Sequence, residues 1–156
     1  MTASSTTSAH GLLVEEPEAD ARPPSVVAVV VTHDPSDDLE RTVAALGAQE
    51  YSNLAVLVVD AGSRSAVEPR VHAVAPEARV HRLEDHPGFA AAADVALEVV
   101  EGAAFYLFCH DDVEPGPDVV SLLVAEAFRS NAGIVGPKLV DLGEPRLLRS
   151  VGFSVD

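Results

Sequence analysis

The chain contains few basic side chains, with 10 Lys and Arg residues against 25 Asp and Glu residues and a net charge of −15. Such an excess of negative charge repels a phosphate backbone, so we expect no nucleic-acid partner. An anionic small molecule can still bind where a metal ion or a helix N-terminus supplies local positive potential. The composition therefore excludes one class of ligand and leaves small anionic ligands open.

Cysteine and long apolar runs are also scarce. Cys109 is the only cysteine, which excludes an intramolecular disulfide, and we expect it to be a small buried residue at a strand end. No apolar run approaches the roughly 20 residues that a membrane helix needs. The N-terminus lacks the basic flank and apolar stretch of a signal peptide. We therefore expect a cytoplasmic protein with no membrane segment in this chain.

Several motifs of common enzyme classes are missing. No Gly-x-Gly-x-x-Gly follows the first apolar run and no Walker Gly-Lys-Ser/Thr loop occurs, which argues against dinucleotide enzymes and P-loop nucleotide hydrolases. No set of Cys and His residues has zinc-site spacing, and no Gly-x-Ser-x-Gly elbow is present. The chemistry has to be sought in other residues.

The 156 residues are enough for one domain with its own core. Residues 1–24 are rich in Ser, Thr, Ala, Pro and acids and show no helical or strand period, so they are predicted to form a disordered acidic tail. Residues 25–156 are predicted to form a single domain, whose core is built mainly from Val and Ala.

Apolar runs and helical periods alternate along this domain. Continuous β-branched runs are typical of strands that are buried on both faces. Strands that alternate with helices predict an α/β fold with a mostly parallel sheet and helices on both faces. The predicted strands are 26–31, 54–59, 79–83, 105–109 and 133–135, with 147–153 as a candidate sixth; the predicted helices are 36–49, 66–74, 87–100 and 117–129.

In such a sheet, ligands bind outside the carboxyl ends of the strands. The apolar run before Asp111 and Asp112 ends abruptly in these two carboxylates. Hard oxygen ligands of this kind suit Mg²⁺ or Mn²⁺, which takes one or two carboxylates together with substrate phosphates. The alternative is that both side chains merely solvate the loop that follows.

Other strand ends carry further candidates. Gly88 begins a predicted helix whose free N–H groups can receive an anion, although many helices start this way without a ligand. His33 can stack on a nucleobase or hydrogen-bond to its own loop. Asp60 can accept hydrogen bonds from a ribose or base, or only cap its own turn. Asp94, on the Gly88 helix, is more often a solvated helix residue.

Taken in order, five short segments resemble the donor-binding half of family 2 glycosyltransferases, which have the Rossmann-like GT-A fold. The resemblance covers roughly residues 25–153 and implies a chain that supplies only the N-terminal, nucleotide-sugar-binding portion of a longer enzyme. The matching segments are Val26–His33, Val58–Ser63, Pro87–Ala92, Phe108–Val113 and Gly133–Lys138.

The resemblance implies roles for individual residues. Thr32 and His33 would lie beside the nucleobase, where the family usually has a tyrosine at the position of His33, and Asp60 would lie in the base and ribose pocket. Asp112 would coordinate the Mg²⁺ or Mn²⁺ ion that bridges the donor diphosphate, and Asp111 would lie nearer the sugar or ribose. Gly88 and Asp94 complete the implied donor site.

This sequence also departs from the family pattern. Ala61 replaces an acid or amide, His110 stands where many members have the first Asp of the acidic motif, and Ala93 with Asp94 replaces an Arg-Asn or Asn-Asn pair. No candidate for the carboxylate that deprotonates the acceptor follows Pro137, so we expect that base to lie beyond Asp156. Two alternatives stay open: a receiver-like binding or signalling module, and an inactive glycosyltransferase-like module.

The family resemblance implies a metal-assisted, inverting transfer of a sugar from a nucleotide-diphospho-sugar to a hydroxyl acceptor. It further implies a glycan or lipid-linked acceptor, and a parent enzyme that works at the cytoplasmic face of a membrane in cell-envelope polysaccharide synthesis. Donor base and sugar are left open by the sequence.

Overall fold

The computed structural model describes residues 22–152 and contains one four-stranded parallel sheet. The strand order is β3-β2-β1-β4, so the first strand lies inside the sheet and β4 lies at one edge. The elements of this α/β unit are β1 (Val26–Thr32), α1 (Asp38–Gly47), β2 (Leu54–Ala61), α2 (Glu68–Val74), β3 (Arg79–Leu83), α3 (Phe89–Val99), β4 (Phe105–His110) and α4 (Val119–Ser130).

The two faces of the sheet bury alternate residues of the central strands. Val29, Val31 and Val59 pack on one face against the small side chains of α3. Val30 and Val58 pack on the other face against α1 and α2. Because β1 is buried at all seven positions, its continuous β-branched sequence is the pattern expected of a central parallel strand. The prediction of a mostly parallel sheet with helices on both faces is confirmed.

The predicted fifth strand of the main sheet is wrong. Residues 133–135 form no strand, and Ile134 is 94% exposed. Two apolar residues, Ile134 and Val135, flanked by Gly133, Gly136 and Pro137 are too few to form a strand when no neighbouring element buries them. The region instead contains a small antiparallel pair, β5 (Leu139–Val140) with β6 (Leu148–Ser150).

The remaining boundaries coincide with the predictions or differ from them by at most three residues, and β3 has the predicted bounds. The candidate strand at 147–153 corresponds to the shorter β6, and Phe153 falls outside the described residues. The predicted tail at 1–24 also lies almost entirely outside them. None of the helices between residues 22 and 152 combines the length and the hydropathy that crossing a bilayer requires.

Candidate functional site at the carboxyl edge of the sheet

The carboxyl ends of β1, β2, β3 and β4 lie at the same edge of the sheet because the four strands are parallel. Their register shows which residues are neighbours at this edge. Thr32 pairs with Asp60, and Asp60 pairs with Arg82 on the next strand. On the other side of β1, His110 pairs with Val31. The edge therefore brings together polar residues that are as much as 80 positions apart in the chain.

The acidic pair is attached to β1 through one hydroxyl group. Thr32 is only 2% exposed, and its Oγ1 donates a hydrogen bond to Oδ2 of Asp111. Asp112 is exposed. The backbone just after it is held by Thr42, whose buried hydroxyl donates to the carbonyl oxygen of Val113 at 2.7 Å. Both neighbours of Asp112 are thus fixed, while its own carboxylate is directed by no protein donor in residues 22–152.

The acidic pair is in direct contact with no cation of residues 22–152. Neither Asp111 nor Asp112 takes part in an ion pair within residues 22–152. Their effect on a neighbour is direct, because burial first and then their two charges raise the pKa of the Cys109 thiol to about 12. Cys109 is half-buried. Because its pKa is raised, its thiol stays protonated, as expected for a packing residue.

The donor set fits a metal ion that is completed by its ligand. Within residues 22–152 no three His, Cys, Asp or Glu side chains are grouped so that they could hold a metal ion by themselves. Mg²⁺ and Mn²⁺ sites commonly use one or two carboxylates and take their other oxygens from substrate phosphates and water. Asp111 and Asp112 supply that number of carboxylates.

His33 follows β1 and lies against two neighbouring loops. Its Nδ1 is 2.7 Å from the carbonyl oxygen of Ala61. Because a carbonyl oxygen only accepts, Nδ1 must carry a hydrogen. The ring of His86 stacks on that of His33, with centroids 4.0 Å apart and planes inclined by 21°. Two aromatic rings that are accessible to solvent are thereby placed at the site, one of them on the predicted position.

Asp60 is buried and has two protein partners. Its side chain is 1% exposed, Oδ1 accepts the backbone N–H of Ser63 at 2.9 Å, and Oδ2 accepts from Nη1 of Arg82 at 2.7 Å. The bond from Ser63 caps the turn after β2, and each carboxylate oxygen keeps a second lone pair. A place for Asp60 in the base and ribose pocket stays a prediction.

The loop after β1 is attached to the loop after β2. Asp34 has a left-handed backbone, with φ of 48°. It is held by its N–H, which donates to Oγ of Ser63, and by its carboxylate, which accepts from the backbone and the side chain of Arg64. The backbone N–H of Arg64 is the largest cause of the lowered pKa of Asp34. A strained residue that is held by several bonds is typical of a functional loop.

The loops after β2 and β3 are packed even more closely. Gly62 has φ of 72°, and a Cβ at this position would lie 2.7 Å from the backbone carbonyl of Asp85. Only glycine allows this approach. Because Asp85 directly precedes His86, the contact also determines where the His86 ring lies above His33.

Gly88 occupies the predicted helix start, and Asp94 lies away from the other candidates. Gly88 precedes α3 with φ of 89°, and a Cβ there would meet no atom within 4 Å. The ring of Phe89 stacks on that of His110 at 4.2 Å. Asp94 is exposed in the second turn of α3, and no hydrogen bond or ion pair joins it to the other predicted residues. The site thus assembles Thr32, His33 and Asp111, with Asp112 and Gly88 beside them.

Sequence reasoning missed the residues that support the site. Arg82 is inside a short strand, and its relation to Asp60 appears only once the strand register is known. Asp34 and His86 follow β1 and β3 but are not among the predicted site residues. A sequence signal existed for His86, because it precedes the Pro87-Gly88 helix start that was singled out.

Comparison with known proteins identifies related chains. Residues 27–149 match the sequence profile of glycosyl transferase family 2. No curated protein sequence shows a significant match. Among solved structures, Staphylococcus aureus TarS 1–349 in complex with UDP-GlcNAc is similar over 77% of this chain and 41% of its own, with 19% identity and a TM-score of 0.59.

A second similar structure is the mannosyltransferase PcManGT from Pyrobaculum calidifontis in complex with GDP-Man and Mn²⁺. It matches over 72% of this chain and 36% of its own, with 22% identity and a TM-score of 0.58. This chain therefore spans about two fifths or less of the length of these structures. At such identities the likeness establishes the fold, which is the Rossmann-like GT-A fold that the sequence predicted.

Proposed function

The chain belongs to glycosyl transferase family 2, and from this membership we propose that it binds the nucleotide-diphospho-sugar donor of a metal-assisted sugar transfer to a hydroxyl acceptor. The observation that carries the proposal is the meeting, at one sheet edge, of the stacked His33 and His86 rings with an acidic pair that has no cation partner in residues 22–152. A nucleoside diphosphate complex of a divalent ion offers both a planar base and the missing positive charge.

The residues divide between the two ends of such a ligand. Asp112, exposed and without a protein donor, would hold Mg²⁺ or Mn²⁺, and Asp111 would be oriented by Thr32 toward the ion or the sugar. The ion, when bound, offsets the charge of the diphosphate leaving group. His33 and His86 would contact the base. The first turn of α3, which follows Gly88, offers N–H groups to an anionic group.

Support for these roles also comes from the similar structures. TarS was solved in complex with UDP-GlcNAc, and PcManGT in complex with GDP-Man and Mn²⁺, and the same ligand classes suit the present edge. The inverting outcome, the glycan or lipid-linked acceptor, the acceptor's general base and a role in cell-envelope polysaccharide synthesis stay predictions. A cytoplasmic location is likewise a prediction from the sequence.

The site geometry bears differently on the two alternatives, the receiver-like module and the inactive glycosyltransferase-like module. A receiver-like module would have its acidic pair after the first strand, whereas Asp111 and Asp112 follow β4, so the structure offers it no support. An inactive glycosyltransferase-like module shares the proposed donor site and differs only in the transfer step. Donor binding therefore tests the site, and donor turnover separates an active from an inactive member.

The test is calorimetry of the 156-residue chain with UDP-GlcNAc, GDP-mannose and a dTDP-sugar, with and without Mn²⁺. We expect metal-dependent binding of at least one donor, weakened by about 100-fold or more in Asp112→Ala, because removal of a ligand costs at least as much as loss of an outer contact. Glu98→Ala, an exposed carboxylate near the far end of α3, removes the same charge and should bind like the wild type. A folded chain that binds none of these donors would contradict the proposal.

A further inference from the structure

The Arg82–Asp60 pair joins the carboxyl ends of β3 and β2 next to the site. The Asp60 side chain is 1% exposed and that of Arg82 is 47% exposed, with 2.7 Å between Nη1 and Oδ2. The same guanidinium donates from Nη2 to the carbonyl oxygen of Ser63 and, at 3.4 Å, from Nη1 to that of Ser65. Arg82 thus binds three acceptors that all belong to the segment from Asp60 to Ser65.

We propose that Arg82 is a positioning residue of the nucleotide pocket, which acts through Asp60 and the loop after β2 to hold the ring of His33 in its Nδ1–H tautomer. This inference rests on the proposed function for its ligand, the base of a nucleoside diphosphate. It adds a residue, and a tautomer, that neither the family membership nor the comparisons assign.

The connection from Arg82 to His33 consists of short hydrogen bonds. Asp60, held by Arg82, accepts the N–H of Ser63 at 2.9 Å, and Ser63 accepts the N–H of Asp34 at 2.8 Å. The same turn directs the carbonyl oxygen of Ala61 at Nδ1 of His33, 2.7 Å away. The His33 ring and the backbone of the next residue, Asp34, are therefore both attached to the loop that Arg82 organises.

The tautomer matters because it determines what the other ring nitrogen can do. With the hydrogen on Nδ1, Nε2 of neutral His33 is an acceptor and can receive an N–H or O–H of a ligand. Oδ2 of Asp34 lies 3.8 Å from Nε2 and would favour a hydrogen on that nitrogen instead. If the Ala61 carbonyl moves, the imidazole is therefore free to exchange tautomers, and Nε2 becomes a donor in part of the molecules.

The first test needs no nucleotide. Long-range ¹H–¹⁵N spectra of histidine side chains distinguish the two tautomers by the shifts of Nδ1 and Nε2, and His33→Gln assigns the signal. We expect a single Nδ1–H tautomer for His33 in the wild type and a mixture in Arg82→Gln. Arg82→Lys keeps a positive charge next to Asp60 but loses the hydrogen bonds to the Ser63 and Ser65 carbonyls. Its fraction of the Nδ1–H tautomer should lie between those of the wild type and Arg82→Gln.

Arg70→Gln is the matched control. Arg70 is half-buried and, like Arg82, binds a carboxylate and two loop carbonyls, here those of Glu40, Pro35 and Ser36. The substitution therefore removes an equivalent set of hydrogen bonds, here from the loop after β1, and leaves the bonds around the Ala61 carbonyl in place. We expect the His33 tautomer to stay as in the wild type.

Binding gives the second readout, with whichever of UDP, GDP and dTDP the wild type binds in the presence of Mn²⁺. Arg82→Gln should weaken this binding by about tenfold, the scale typical of lost supporting contacts, and Arg70→Gln by less than about twofold.

Wild-type His33 spectra in Arg82→Gln, or in Arg82→Lys if the former does not fold, would overturn the inference while leaving the proposed function intact. An equal tautomer change in Arg70→Gln would also overturn it. Absence of binding of all three nucleoside diphosphates in the wild type would instead contradict the proposed function, and the spectra would still decide the role of Arg82.

Discussion

The segment from β1 to α2 and the segment from α4 to β6 use apolar residues in opposite ways. In the first, seven of the larger apolar side chains of β1, α1 and β2 are fully enclosed, including Leu39, Leu46 and Val58. In the second, up to residue 152, only Val120 and Ala127 are buried, whereas Leu122, Phe128 and seven further large apolar side chains are exposed. One segment is a core, and the other is an apolar surface.

Hydrogen bonding follows the same division. The loops after β1 and β2 are joined by Asp34, Ser63 and Arg64, and α1 is joined to α2 by Glu40 and Arg70. The side-chain ion pairs of the second segment are local, as for Glu126 with Arg129 within α4. His33 is therefore carried by the core segment, whereas His86 follows β3 and the acidic pair follows β4 at the sheet edge. Rigid support of this kind is what a preorganised binding site requires.

The largest expected difference between the two segments concerns leucine truncation. Leu39→Ala removes a side chain that is 0% exposed and should lower the free energy of unfolding by about 2–5 kcal/mol, since it leaves a cavity. Leu122→Ala, the same change at 59% exposure, should cost less than about 0.5 kcal/mol. Urea denaturation measures both, and equal losses would refute the division into core and surface.

Glycine substitution should give the next largest effect. Gly62→Ala adds a Cβ 2.7 Å from the Asp85 carbonyl at a φ of 72°, so we expect about 2–3 kcal/mol from the strained backbone and the collision together. Because it also displaces His86, metal-dependent UDP binding should weaken. Gly133→Ala, where a Cβ meets nothing within 4 Å, should leave stability and binding nearly unchanged. A tolerated Gly62→Ala would show that the two loops are not packed as described.

The smallest difference concerns two Arg–Glu pairs and their dependence on pH. The hydrogen bond from Arg70 lowers the pKa of Glu40 from 4.5, and Arg129 lowers that of Glu126 in the same way. A lowered folded-state pKa means that each carboxylate stabilises the fold above its unfolded pKa and loses this effect as pH falls through its folded pKa. Glu40→Gln should therefore cost up to about 1 kcal/mol at pH 7 and much less near pH 3.

Glu126→Gln is the comparison for that pair. The side chains of Arg129 and Glu126 are 73% and 44% exposed, whereas those of Arg70 and Glu40 are 32% and 30% exposed. Solvent screens an exposed pair, so its loss should be smaller at every pH. Denaturation at several pH values between neutral and acid would show this, and an equal or larger pH-dependent loss for Glu126→Gln would contradict the ranking.

The sequence predicted the fold and part of the site because the patterns on which these predictions rest lie within single segments. The β-branched run of β1 and the helical spacing of Leu39, Val43 and Leu46 are local patterns, and both are found as predicted. The strand at 133–135 was wrong because burial of Ile134 depends on a neighbour, which its own three residues do not reveal. The role of Asp60 was uncertain for a similar reason, since its partner Arg82 lies 22 residues away.

By itself, then, the sequence determined which segments become strands and helices, and it placed Thr32, His33 and the acidic pair at strand ends, because hydrophobic period and turn chemistry are properties of neighbouring residues. The tertiary structure alone decided which polar groups face each other. It directed Asp60 inward to Arg82 and Ser63, joined Thr32 to Asp111, and stacked His86 on His33. Such pairings depend on strand order and register, which bring distant residues within hydrogen-bonding distance.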